Sequence, residues 1–143
     1  MPMTKVFMGT TKIDAQKTIG EISSVLVRAG ATSMATDFGV GGRVEAVRFG
    51  LTIPGIPMPV HFRLPCRTEK LVKLLRNDRA QAERTAWRQV LRWVEAQTAM
   101  VDAGMTQTHE VFMPYAVIPG TNDQTMFQAW ESNQKQLPAP TAQ

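Results

Sequence analysis

Three arginines at four-residue spacing, Arg84, Arg88 and Arg92, are the residues of this chain best placed to do chemistry on a ligand. On a helix they form a ridge about 12 Å long, one turn apart. Each guanidinium fork can donate two parallel hydrogen bonds to a phosphate. The same pattern also suits an ordinary solvated helix face, and Glu95 lies close enough to pair with Arg92 or Arg88. A second basic pair, Arg48 and Arg63, falls directly across a predicted hairpin. Like charges so placed repel unless an anion or an acidic neighbour bridges them. Asp37 and Glu45 are the nearest acids. Arg67, Lys70 and Lys73 follow on a short predicted helix. From Arg63 to Arg92 nine residues are basic and three acidic, +6 in 30 residues, against −2 over the remainder. A basic block on an otherwise mildly acidic chain points to a partner of negative charge. The candidate nucleic-acid contacts are therefore Arg84, Arg88, Arg92, Arg48, Arg63, Arg67, Lys70 and Lys73.

Catalytic chemistry is poorly represented. Cys66 follows Pro65 and precedes a short helix whose dipole could acidify a thiol. His61 lies five residues upstream on a strand, with no orienting partner, so Cys66 reads as structural. The carboxylates Asp14, Glu21, Asp37, Glu45, Asp102, Glu110 and Asp123 are dispersed, with no spacing of a two-metal nuclease. One cysteine excludes a disulfide framework and a cysteine-based zinc site, and two histidines disfavour a His-rich metal centre. Gly39–Gly42 has the bare GxxG pattern of a KH loop but joins two predicted strands instead of two helices. No phosphate-loop or dinucleotide fingerprint is present. The reading is a binding protein with no catalytic residue, metal or cofactor. A metal-dependent nuclease assembled from scattered carboxylates is a third, minor possibility.

The elements that position these residues follow from periodicity. The 143 residues suit a single domain over 1–133 followed by a Gln/Pro/Ala-rich tail over 134–143, read as disordered. A weak alternation predicts a strand over 4–11. Ile19, Ile22, Val25, Leu26 and Ala29 share one face of a helix over 15–29, with Asp14 as N-cap and Gly30 at its end. Strands are predicted over 32–38 and 43–53, joined by Gly39–Gly42. A turn at Pro54–Pro57 leads to a third, over 58–64. If that turn is centred on Gly55 and Ile56, Phe49 pairs with Phe62, Val47 with Leu64 and Arg48 with Arg63, so both faces agree. A short helix over 67–76 and a long one over 79–103 follow, the latter capped by Asp78 and stopped by Gly104. A short helix entering an irregular segment is predicted over 106–119, then a last helix capped by Thr121 or Asn122 and carrying Met126, Phe127 and Trp130. The fold class is α+β: a three- or four-stranded antiparallel sheet packed on helices in the order β-α-β-β-β-α-α, with a small C-terminal helical extension.

Along the long helix Trp87, Val90, Leu91, Val94 and Val101 form the core stripe, while Trp93 and Met100 lie on a third side. Either the helix is sandwiched between the sheet and the C-terminal segment, or Trp93 and Met100 form a homo-oligomer contact. A tryptophan beside a basic groove could also stack a base. No apolar run approaches the ~18 residues of a membrane span, and the N-terminus lacks the apolar core of a signal peptide. The expectation is a cytoplasmic protein.

Two resemblances attach to these residues. The α-β-β-β-α order of 15–92 resembles that of a double-stranded-RNA-binding domain. Arg67, Lys70 and Lys73 stand near that family's second-helix lysines, whereas Gly39–Gly42 lacks the histidine of its loop. The strings Glu83–Val90, Trp93–Gln97, Ala103–Met105 and Glu110–Tyr115, with Arg28–Ala31 and Phe62–Pro65, resemble small uncharacterised proteins of phages and mobile elements, over roughly 10–130. That resemblance implies a setting and no mechanism, with DNA or RNA as the expected partner. The alternative is a small oligomeric module that binds or blocks a protein.

Overall fold

The structure is a computed structural model that describes residues 5–134. Helix α1 (Ala15–Arg28) buries Thr18, Ile19, Ile22, Val25 and Leu26, one stripe at helical spacing. It ends where Gly30, at φ 110°, turns the chain left-handed. The Gly30 N–H then donates to the Val27 carbonyl and Ala31 N–H to that of Leu26, which satisfies the last carbonyls of the helix. Strands β1 (Ser33–Phe38), β2 (Val44–Leu51) and β3 (Val60–Pro65) form an antiparallel sheet in the order β1-β2-β3. The register is the expected one: Phe49 opposes Phe62, Val47 opposes Leu64 and Arg48 opposes Arg63.

Helix α2 (Glu69–Leu74) is short. Helix α3 (Arg79–Asp102) runs 24 residues. The Asp78 side chain accepts from the Gln81 N–H at 3.0 Å to start α3, and Gly104 closes it in the same left-handed way as Gly30 closes α1. Helix α4 (Thr108–Phe112), a 3-10 turn (Met113–Tyr115) and helix α5 (Met126–Asn133) complete the described chain. Helices cover one sheet face. There Val47, Phe49, Leu51, Phe62 and Leu64 meet Ile22, Leu26, Trp87, Leu91 and Val94. Phe112 closes this layer: its ring stands edge-on to Phe49 at 5.1 Å and to Trp93 at 5.6 Å, while Phe49 stacks on Phe62 at 5.2 Å.

Two expectations need correction. Residues 5–11 form turns, not a strand. Gly9 N–H bonds back to the Val6 carbonyl, and side chains of α3 take the carbonyls a sheet would have used: Gln89 that of Phe7, Thr85 that of Met8, Gln81 those of Gly9 and Thr11. The sheet thus has three strands. The last helix is capped by Thr125, in a reciprocal box with Gln128. Thr121 is already engaged, donating to the Ile118 carbonyl and accepting from Gln124 N–H. Of the two alternatives for Trp93, the structure has the sandwich: Trp93 is half-buried inside its own chain, edge-on to Phe112 and Tyr115, because the α4 segment packs over that side of α3. Met100 beyond it is exposed. The tail over 135–143 lies outside the described residues. Among the described residues no helix is long and apolar enough to cross a membrane.

Candidate nucleic-acid interface

The arginine ridge of α3 does not exist as a surface. Arg88 is only 6% exposed and lies between α3 and α1, where Nη1 donates to Thr18 Oγ1 and to Glu21 Oε1, both at 3.1 Å. Arg84 is half-buried and donates to Gln81 Oε1 at 2.6 Å, joining the network that holds the N-terminal turns. Arg92 is exposed but donates to Glu95 Oε1 at 2.6 Å. Four-residue spacing drifts around a helix by about 40° per step, so three such side chains meet three different surroundings. Thr18 and Glu21, polar positions flanking the apolar stripe of α1, are the sequence signal that could have exposed the buried pairing.

On the open sheet face Arg48 and Arg63 stand opposite each other, and Asp37 bridges them. Arg48 Nε donates to both Asp37 oxygens at 2.8 Å, and Arg63 Nε to Oδ2 at 2.8 Å. Asp123, 75 residues away in sequence, adds a second carboxylate on Arg48 Nη2 at 3.0 Å. The Arg48 hydrogen bond holds the Asp37 carboxyl below its ordinary value, against burial and helped by Arg63. The same bond raises the Arg48 guanidinium. Two cations are thus balanced by two carboxylates. Glu45, the other expected neighbour, instead lies against Gly39.

A pH prediction follows. A carboxyl whose folded pKa is depressed stabilises the fold fully above its unfolded value, and that stabilisation is lost as pH falls through the folded one. Urea unfolding of the natural chain at about pH 6 and about pH 3 should show a larger loss than in Asp37→Asn, which cannot titrate there. Equal losses would mean that Asp37 does not carry the pairing.

Arg67, Lys70 and Lys73 are exposed. With Arg79, the first residue of α3, they have no carboxylate within ion-pair distance among the described residues. Arg79 belongs to the same basic block but lies five residues before Arg84, outside the four-residue repeat of the ridge, so spacing alone does not single it out. Beside them, burial pushes the Cys66 thiol up to about 12, with Glu83 and Glu69 adding to the rise. Desolvation outweighs any help from a helix end, so Cys66 is a neutral, structural thiol. Comparison with protein-family models, curated proteins and solved structures finds no match to this chain.

Proposed function

We propose that the protein binds nucleic acid through backbone phosphates on the surface of α2 and its flanks, not along α3. One observation carries this reading. Arg67, Lys70, Lys73 and Arg79 are exposed within one short stretch and carry no acidic partner among the described residues, while Arg63, Arg88 and Arg92 each have one and Arg48 has two. Contacts of this kind position a backbone and carry no sequence information, so specificity is low.

Four phosphate contacts should give a slope of log K against log salt of roughly −3 to −3.5, at 0.7–0.9 per contact. Fluorescence anisotropy with labelled single-stranded DNA, duplex DNA and duplex RNA measures it. Replacing Lys70 and Lys73 by Gln together should flatten the slope by about 1.5, and Arg92→Gln should leave it unchanged. The opposite pattern would move the contact surface from α2 to Arg92 on α3. No binding at micromolar protein would favour the second reading, a protein-interaction module. Its support is α5, which buries no residue and exposes Phe127 and Trp130, with rings 6.1 Å apart.

A further inference from the structure

Between the start of β2, the end of β3 and the starts of α2 and α3 lies a cleft of about 260 Å³, lined by Arg43, Arg63, Arg67 and Arg79. We infer that this cleft takes the terminal phosphate of a nucleic-acid strand, so that the protein binds strand ends carrying a phosphomonoester; the inference rests on the backbone-binding reading above.

The four guanidiniums come from four different places: the residue just before β2, the middle of β3, the loop before α2 and the first turn of α3. Only folding brings them together. Arg63 is the oriented member. Asp37 holds its Nε at 2.8 Å and so fixes the plane of the fork, while its two terminal nitrogens have no partner among the described residues. Arg43 is fixed through Nε on Glu83 at 3.1 Å. A guanidinium held at one edge presents the other edge to a ligand with less ordering cost. The Thr68 hydroxyl also lines the cleft and caps no helix N–H, which leaves it as a further donor. Three glutamates line the cleft as well. Glu83 is spent on Arg43, and Glu45 is turned against Gly39. With Arg63 already shared with Asp37, the cations of the cleft without an ion-pair partner among the described residues are Arg67 and Arg79, and Glu69 and Glu45 remain in the lining, so a bound phosphate would draw on the free edges of Arg63 and Arg43 together with Arg67 and Arg79. The Cys66 thiol in the wall is neutral and adds no charge.

Shape selects the kind of phosphate. A continuous phosphodiester backbone can ride across the exposed side of α2, but it cannot turn its chain into a concavity of this size. The volume lies just under the ~300 Å³ at which small-molecule sites begin, enough for a phosphate and its sugar. A terminal phosphate carries a second charge and three free oxygens, which several forks can share.

The test uses the full chain and one internally labelled single-stranded DNA with a 5′-phosphate, a 3′-phosphate or hydroxyls at both ends. One phosphorylated form should bind about tenfold tighter than the hydroxyl form. Arg43→Gln and Arg63→Gln should each abolish that ratio and leave affinity for the hydroxyl form unchanged. Replacing Lys70 and Lys73 should weaken all three and preserve the ratio. Should Arg63→Gln fail to fold, the exposed Arg43→Gln and the comparison of ends on the natural chain still decide. Equal binding of all three forms overturns the inference and leaves the backbone reading standing. If no oligonucleotide binds, both fall. Thermal stabilisation by adenosine monophosphate but not adenosine would then assign the cleft to a free nucleotide and overturn strand-end recognition.

Discussion

Glu21→Ala should destabilise the protein by about 2–4 kcal/mol, and Arg88→Met by no more than about 1 kcal/mol. The two side chains form one ion pair, yet they are not equivalent. The Arg88 side chain is 7% exposed and that of Glu21 38%. Removing Glu21 leaves a guanidinium between α1 and α3 with only the Thr18 hydroxyl to receive it, and a buried charge without its counter-ion is among the costliest defects a core can hold. Removing Arg88 leaves Glu21 free to turn into water. Methionine refills the space of the arginine stem with an unbranched chain of similar length. Thr18 loses one contact but still donates to the Asp14 carbonyl. Urea unfolding of the two single variants and the double variant checks this. The double should resemble Arg88→Met, since nothing is left to strand. If Glu21→Ala proves the milder change, Arg88 is hydrated from a direction the packing of α1 on α3 does not allow.

Phe112→Ala should cost about 3–5 kcal/mol, the range for deleting a fully buried aromatic ring. Phe112 is inaccessible to solvent and meets three other rings: Phe49, Phe62 and Trp93. Those partners come from the sheet and from α3, so a void there cannot close by the shift of one element. The loss should also be uneven along the chain. Phe112 pins the segment that lays Ala116 and Val117 along the outer edge of β3, where the Val117 N–H donates to the His61 carbonyl. Hydrogen exchange should therefore accelerate first at Val117, Ile118 and Met126, with the amides of α1 and the middle of α3 still protected. A cost under about 1 kcal/mol, or uniform acceleration, would mean that the C-terminal segment is not held through this ring.

Much of this architecture is legible in the order of residues, because its causes are local. Alternation in β2 and β3, with one turn between them, leaves a single register in which Phe49 meets Phe62 and Arg48 meets Arg63. Asp78 and Gly104 mark both ends of α3 through cap geometry that needs no distant neighbour. Exposure of Arg67, Lys70 and Lys73 follows from a short helix with little apolar surface to bury. What tertiary structure alone decided is which cations remain available. Arg88 faces inward because α1 crosses α3 at that turn, and α1 lies some 70 residues earlier. Asp37 reaches Arg48 and Arg63 diagonally, and Asp123 arrives from a loop 75 residues on. The turns at 5–11 miss becoming a strand because Gln81, Thr85 and Gln89 of α3 take their carbonyls first. Propensity and periodicity act within a few residues and are written in the sequence. The pairing of charge is a contact between segments far apart in it, and is settled only when packing brings them within hydrogen-bonding distance.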